Sequence, residues 1–236
     1  MRFDPPAIPA VLLRRYKRFL ADVQLEDGRQ VTAHCSNTGR MTGCSSPGSS
    51  VLVTPLPSGK KLRWKLRLVK SGRCWVNVDT QVPNQVIAQA ARRQRLTPLS
   101  RYDTVAREVP YGADFKSRID ILLTDSAGVL PPCYVEVKNV TLRVGRTALF
   151  PDAVTERGLK HLRELQGEVQ SGHRAILLPF IARADCDNFA GAAEIDPSWT
   201  KALAEVTAAG VEVHPWKARI DRHGVSLGHP IPWTGE

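Results

Sequence analysis

The stretch that decides the fold is SRIDILLTDSAGVLPPCYVEVKN, residues 117–139. Apolar residues alternate with other residues on both sides of its centre, from Ile119 to Leu123 and again from Tyr134 to Lys138. A period of two is typical of strands that bury one face. The centre is rich in Asp, Ser, Gly and Pro, which is typical of a turn. The sequence therefore predicts a β-hairpin centred on Gly128.

Symmetry about Gly128 places Asp120 opposite Glu136. The Cβ atoms of directly opposed residues in an antiparallel pair lie roughly 4.5–5.5 Å apart, so the two carboxylates converge on one face. Lys138 shares that face because strand side chains repeat every second residue. Two close carboxylates repel each other unless a cation lies between them, and oxygen ligands favour Mg²⁺ or Mn²⁺.

This constellation suits phosphodiester hydrolysis, since an ammonium beside a metal can stabilise charge on a phosphate. We interpret Asp120, Glu136 and Lys138 as candidate catalytic residues. The candidate metal ligands are the Asp120 and Glu136 carboxylates, with the Val137 carbonyl as a further ligand. The competing interpretation is a solvated hairpin face whose charges merely pair, because a short D…ExK pattern often arises by chance.

The composition favours a polyanionic partner. The chain has 236 residues and a formal net charge of +10, which points to nucleic acid, with DNA as the first candidate and RNA as the second. An anionic membrane surface is the weaker alternative, since no apolar run approaches the ~20 residues that span a bilayer. The N-terminus makes a poor signal peptide, and five scattered cysteines make no disulfide framework. A cytoplasmic location is expected.

Residues 1–82 are predicted to form an all-β domain. Short strands separated by glycine-rich loops suggest a small barrel of the OB type. Within residues 61–68, leucines and a tryptophan alternate with cations, which predicts one core face and one row of positive charge. The candidate nucleic-acid contacts are Arg14, Arg15, Lys17, Arg40, Lys61, Arg63, Lys65 and Arg67. The competing interpretation of the cationic row is a plain polar face. RRQR at 92–95 carries less weight, because cations are favourable at a helix C-terminus.

Residues 83–236 are predicted to form a mixed α/β domain. Pro83 marks the boundary and Asn84 is the expected N-cap of a first helix. After the hairpin, a second helix begins near Asp152 and ends at Gly172, and the apolar run 174–180 predicts a strand buried on both faces. A third helix follows Asp196, and VEVHPW is expected to form the last strand. The order of elements predicts an α+β protein with helices packed on a mixed sheet.

Several blocks of the sequence together resemble the sugar fermentation stimulation protein family (SfsA). They are GRMTGC (39–44), PGS (47–49), SRID (117–120), YVEVKNVTL (134–142) and FPDAVTERGLKHL (150–162). The resemblance implies an N-terminal OB-like domain and a C-terminal domain similar to the PD-(D/E)xK nucleases. It also implies DNA binding without strong sequence preference, and a regulatory link to the use of sugars such as maltose.

The resemblance assigns residues as well. Asp120, Glu136 and Lys138 match the core of such nuclease-like domains, and Arg118, Asn139, Asp152, Arg157 and His161 are expected around them. Many nucleases of this type carry an acidic residue in their first helix, which this chain lacks, so Glu108 is a substitute candidate. Asp79 stands where Asn is expected. Each supporting residue also has an ordinary interpretation, such as a helix cap for Asp152 or a surface histidine for His161.

Two functional hypotheses follow. One is a Mg²⁺- or Mn²⁺-dependent nuclease that binds nucleic acid through the barrel and cuts it at the hairpin. The other is a non-catalytic DNA-binding regulator of sugar metabolism genes. A third hypothesis, an enzyme acting on a small phosphorylated substrate, fits the row of cations less well, since a small substrate needs only one or two cations.

Overall fold

The first six strands form a sheet that closes into a barrel. The computed structural model describes residues 1–59, 61–112 and 115–235, without the side chain of Pro98. The strands are β1 (Ile8–Tyr16), β2 (Leu20–Leu25), β3 (Gln30–His34), β4 (Ser50–Pro55), β5 (Trp64–Ser71) and β6 (Cys74–Asn77). Their order is β3-β2-β1-β4-β5-β6, and a parallel pairing of β3 with β5 closes the ring. Five strands in this order make an OB-type barrel, as predicted.

The predicted row of cations is wrong for Lys65 and Arg67. A β-bulge in β5 reverses the alternation, so that Leu66 packs inside the barrel whereas Leu68 packs towards the second domain. Lys65 and Arg67 are covered there and both pair with the fully buried Asp79, Lys65 at 2.8 Å. Lys61 and Arg63 precede the strand and are exposed. The alternating pattern could not show that a second domain covers part of the face.

The second domain is built on a seven-stranded mixed sheet. Its order is β16-β15-β12-β9-β8-β7, with β14 also paired to β12. The strands are β7 (Thr104–Tyr111), β8 (Ser117–Thr124), β9 (Cys133–Val140), β12 (Arg174–Ile181), β14 (Glu212–Val213), β15 (Trp216–Asp221) and β16 (Gly224–Pro230). A smaller sheet holds β10 (Leu142–Val144), β11 (Thr147–Phe150) and β13 (Asn188–Gly191). The helices are α1 (Gln81–Arg92), α2 (Glu156–Gln170) and α3 (Pro197–Ala208), and a 3₁₀ turn spans Thr97–Leu99.

The central hairpin has the predicted register. β8 and β9 pair antiparallel with Ile121 opposite Val135 and Leu123 opposite Cys133, a register symmetric about Gly128. The apolar residues of both strands are buried because the sheet carries a helix layer on each side, α1 on one and α2 with α3 on the other. β12 is buried along nearly its whole length, as predicted for a strand covered on both faces. The hairpin of β15 and β16 lies beyond VEVHPW, the predicted last strand, and is a difference from the sequence prediction.

Two predicted helix caps are wrong. The first helix begins at Gln81, and Asn84 lies inside it. Thr80 is the N-cap residue, and Asp79 accepts a hydrogen bond from the Gln81 amide at 3.2 Å. Pro83 is tolerated because the first turn of a helix leaves its amides unpaired anyway. The second helix is capped by Thr155, whose hydroxyl accepts from the Gly158 amide at 3.0 Å.

The remaining helix ends agree with the sequence patterns. Gly172 follows α2 with φ +83°, and Asp196 caps α3 by accepting from the Trp199 amide at 2.9 Å. The predicted boundary between residues 82 and 83 falls in the first turn of α1, and it stays a prediction. No helix of the described residues is both long and apolar enough to span a bilayer.

Barrel and second domain are joined by shared apolar and polar contacts. Leu52 and Leu68 of the barrel belong to the same hydrophobic cluster as Val86 of α1 and Val135 of β9. At the polar edge of this cluster, the side chains of Asn77 and Asn139 hydrogen-bond at 3.2 Å. Asn139, expected near the site, therefore also fixes the position of the barrel.

Asp79 provides a test of this junction. Its pKa is lowered although burial would raise it, because Lys65 and Arg67 favour the charged form. Removing one partner of a buried ion pair typically costs about 3–5 kcal/mol, so Asp79→Ala should lower the free energy of unfolding by that order. The stabilisation is present above pH 3.8 and should be lost as the pH falls through the lowered pKa.

The measurement is urea unfolding followed by tryptophan fluorescence. Asp187→Ala is the matched control, since Asp187 pairs with Arg146 on the surface and such pairs contribute little. Equal unfolding midpoints for both variants would contradict the assigned role of Asp79.

Candidate functional site

A cleft of about 900 Å³ lies between the barrel and the second domain. The barrel contributes Arg18 and the loop from Ser36 to Gly39. The second domain contributes the ends of β8 and β9, the segment 149–155 before α2, and the first turns of α1 and α2. All three candidate catalytic residues, Asp120, Glu136 and Lys138, line this cleft.

Three acidic residues from neighbouring strands line the cleft. The β8–β9 ladder ends at Ile121 opposite Val135, and Asp120 and Glu136 are the next residue on each strand; both line the cleft, and the Glu136 carboxylate acts on Asp120. The register of β7 with β8 pairs Arg107 with Ile121 and Val109 with Ile119, which places Glu108 on the other side of Asp120. Glu108 has φ +52° and interrupts the β7 ladder, and it lines the cleft. The structure thus brings the substitute acid to the site.

Asp120 is held by two hydrogen bonds. Its Oδ2 atom accepts from the Val137 amide at 2.8 Å, and its Oδ1 atom accepts from the Asn84 side chain at 2.5 Å. The N–H and C=O groups of one strand residue point to the same side, so the Val137 carbonyl is also directed towards Asp120. Burial and the neighbouring Glu136 carboxylate raise the pKa of Asp120 to about 7. The charged form of Asp120 is therefore disfavoured here, and a nearby cation would stabilise it.

Glu136 has one occupied oxygen and one without a partner. Its Oε1 atom accepts from the Lys138 ammonium at 2.6 Å and also contacts the Nδ1 atom of His161. Its Oε2 atom is buried and has no hydrogen-bond partner within the described part of the chain. The pKa of Glu136 is lowered although burial would raise it, because Lys138 and His161 favour the carboxylate. Glu136 is thus a buried anion with one oxygen still to be satisfied.

His161 and Arg157 extend this network along α2. The Nε atom of Arg157 lies 3.4 Å from the Nε2 atom of His161 and donates to it. Since Nε2 accepts, the ring proton lies on Nδ1 and is donated to Glu136. His161 is 7% exposed, so it is not the ordinary surface histidine that was the alternative. The hydrogen bond from His161 orients the Glu136 carboxylate.

The barrel loop Ser36–Met41 covers the cleft and is held in place by hydrogen bonds to three residues. Arg15 donates to the carbonyls of Asn37 and Gly39, both at 2.8 Å. Asp152 accepts from the Met41 amide at 2.9 Å, and Asp79 accepts from the Ser36 hydroxyl at 3.0 Å. The hydrogen bond of Asp152 to Met41 therefore joins the second domain to the barrel. The guanidinium group of Arg15 is engaged by hydrogen bonds within the protein.

The other predicted nucleic-acid contacts lie in different surroundings. Arg14 pairs with Asp22 at 2.8 Å, whereas Lys17, Arg40, Lys61 and Arg63 are exposed. Their contacts with nucleic acid stay predictions. Arg118 donates to the Glu108 carbonyl at 2.7 Å instead of neutralising Asp120.

Several cleft residues were missed in the sequence. Asn favours N-cap positions, so the sequence alone predicts a cap at Asn84, and only the contact of Asn84 with Asp120 shows another role. Lys116 and Lys160 also line the cleft. Lys160 pairs with Glu164, one turn further along α2, at 3.4 Å. A helix period applied from Arg157 would have placed Lys160 and His161 on the cleft side together.

The donor set fits a hard divalent cation. Asp120, the unpartnered oxygen of Glu136 and the Val137 carbonyl are all oxygen donors, which Mg²⁺ and Mn²⁺ prefer. In the described ranges, no three His, Cys, Asp or Glu side chains are grouped as a metal site. A metal would therefore rely on two carboxylates, a backbone carbonyl and water, a pattern that Mg²⁺ accepts.

Gly39 tests the roof loop. A Cβ atom at this position would overlap the Asp152 carboxylate, so Gly39→Ala must displace the loop or break its tie to Met41. We expect faster hydrogen–deuterium exchange of residues 36–41 than in the unaltered protein. Gly167→Ala is the control, because the space around Gly167 is open. Unchanged exchange in Gly39→Ala would show that the loop is not held by this contact.

Comparison with known proteins identifies the family. The SfsA N-terminal OB domain model matches residues 13–78, and the sugar fermentation stimulation protein RE domain model matches residues 81–224. A sugar fermentation stimulation protein homolog from Ruegeria sp. is 47% identical over 235 residues, covering 98% of this chain and 100% of that protein. A homolog from Geotalea daltonii is 44% identical, covering 98% and 99%.

A solved structure agrees with the whole fold. SfsA of Pyrococcus furiosus, solved in complex with Ca²⁺, superposes with a TM-score of 0.89 at 27% identity, covering 99% of this chain and 97% of that chain. The predicted OB barrel and mixed α/β domain are confirmed. The chain belongs to the sugar fermentation stimulation protein family.

Proposed function

We propose that this protein binds DNA in the cleft between its domains and hydrolyses a phosphodiester bond there with a divalent cation, Mg²⁺ or Mn²⁺. One observation carries the proposal. Asp120 and Glu136 lie close together at the cleft, and the buried Oε2 atom of Glu136 has no partner in the described structure. An unsatisfied buried carboxylate oxygen is costly and points to an absent ligand.

Asp120, Glu136 and the Val137 carbonyl would hold the cation. Support comes from the Pyrococcus furiosus relative, whose structure was determined with Ca²⁺, a cation that also prefers oxygen ligands. When bound, a divalent cation would supply charge for the transition state and lower the pKa of a water molecule.

The protein's own cations bind and orient the phosphate. Lys138 keeps one N–H on Glu136 and can direct others into the cleft, where they would stabilise negative charge on the phosphate. Arg18, Arg157 and Lys160 lie on the walls around it. Contacts of this kind reach the phosphate backbone and carry no direct sequence information, so we infer binding without strong sequence specificity.

Glu136→Gln is the sharpest test of the metal site. The amide oxygen can replace Oε1 as the acceptor for Lys138 and His161, and the NH₂ group can occupy the position that has no partner. The fold should therefore persist while a ligand charge is lost. We expect Mn²⁺ affinity, measured by calorimetry, to fall by more than the about 10–100-fold typical of residues behind a metal ligand.

Metal-free DNA binding, measured by anisotropy with EDTA, should stay the same or strengthen in Glu136→Gln, because a charge that repels phosphate is removed. Cleavage should disappear. Equal Mn²⁺ affinity in both proteins would refute the metal site. Mn²⁺ binding by the unaltered protein without any cleavage of plasmid or single-stranded DNA would favour the non-catalytic DNA-binding regulator.

Asn84→Ala tests whether the orientation of Asp120 matters for metal binding when the charge of the site is unchanged. This change removes the hydrogen bond to Asp120 Oδ1 but leaves both carboxylates in place. We expect Mn²⁺ affinity to fall by about 10–100-fold, as is typical when a partner of a metal ligand is lost. Gln85→Ala, on the next residue of the same helix, should leave the affinity unchanged. The two variants would behave alike only if Asn84 does not position Asp120.

A further inference from the structure

Positive charge collects on a surface outside the cleft. Two adjoining grooves, of about 460 and 360 Å³, share Met1, Gln89 and Arg93 in their walls. Five exposed arginines line these grooves, and we call them the arginine patch: Arg92, Arg93, Arg95, Arg107 and Arg219. They come from the end of α1, from β7 and from β15. Folding thus brings together cations that are distant in the sequence.

Negative charge does not balance this patch. No Asp or Glu lines either groove, and none of the five arginines forms a salt bridge within the described residues. The ammonium of Met1 also lines both grooves, and its pKa is lowered by burial and by Arg93, with Asp221 acting in the opposite direction. Like charges held close together repel, which destabilises the folded state.

Helix stability explains only part of the patch. Cations near a helix C-terminus interact favourably with the helix dipole, which accounts for Arg92 and its neighbours. Arg107 and Arg219 lie on strands and gain nothing from that dipole. A ligand with several negative charges would stabilise all five together, and guanidinium groups bind phosphate oxygens in a bidentate manner.

We propose that the arginine patch is a second polynucleotide-binding surface, which contacts the phosphate backbone of the DNA molecule that enters the cleft. This inference rests on the proposed function. Asn84 lies on the cleft and Arg92 is eight residues further along α1, a distance of about 12 Å at 1.5 Å per residue. B-DNA covers about 12 Å in three to four base pairs. One duplex can therefore contact both surfaces.

The test compares two triple variants of equal charge. The first is Arg93→Gln, Arg95→Gln and Arg107→Gln. The control is Arg29→Gln, Arg146→Gln and Arg163→Gln, whose arginines are exposed and paired with Asp27, Asp187 and Glu205. Both lower the net charge equally. Anisotropy with a labelled duplex, in EDTA over a range of salt concentrations, gives the affinity and the slope of log K against log salt.

For each phosphate contact that is lost, the slope should flatten by roughly 0.9. The patch variant should therefore bind more weakly and with a flatter slope than the control, while both keep the Mn²⁺ affinity of the unaltered protein. Equal slopes in the two variants would refute DNA binding by the arginine patch but would leave the proposal of DNA binding in the cleft intact. If the unaltered protein binds no DNA at low salt, the proposed function fails, and the patch as a polynucleotide surface fails with it.

Discussion

The proximity of Asp120 on β8 to Glu136 on β9 is the constraint on which the site depends. Two partly desolvated carboxylates that lie close together disfavour each other's charged form. Hydrogen bonds from different parts of the molecule stabilise each of them. Asn84 and the Val137 amide bind Asp120, whereas Lys138 and His161 bind Glu136. The compensation is incomplete, because one Glu136 oxygen is left without a partner among the described residues. That deficit, in a carboxylate that lines the cleft, supports the proposed cation site.

The barrel contributes to the same site without supplying a catalytic group. Its loop from Ser36 to Met41 is held by Arg15, by Asp79 and by Asp152, which lies in the other domain. Asp79 also neutralises Lys65 and Arg67, so the same carboxylate stabilises the barrel wall and the start of α1. Charges that a sequence pattern assigns to ligand binding are used here to join two domains.

The sequence predicted what local patterns determine. Period-two alternation on both sides of one turn was enough for the β8–β9 register, and hence for the meeting of Asp120 and Glu136. It was not enough for Lys65, because a bulge and a covering helix decide which face of β5 reaches solvent. The prediction that Asn84 caps α1 was wrong for a related reason. Its preference for N-caps is local, whereas its hydrogen bond to Asp120 spans 36 positions of the chain.

The distribution of charge matters more than its total. A net charge of +10 indicates a polyanionic partner but gives no position for it. In the barrel, Arg14, Lys65 and Arg67 are each paired with an acid, so their charge is largely cancelled at short range. The arginine patch has no such salt bridge in the described structure, so its charge is not cancelled at short range. It would attract a polyanion on the side of α1 that leads along the helix to Asn84 and the cleft.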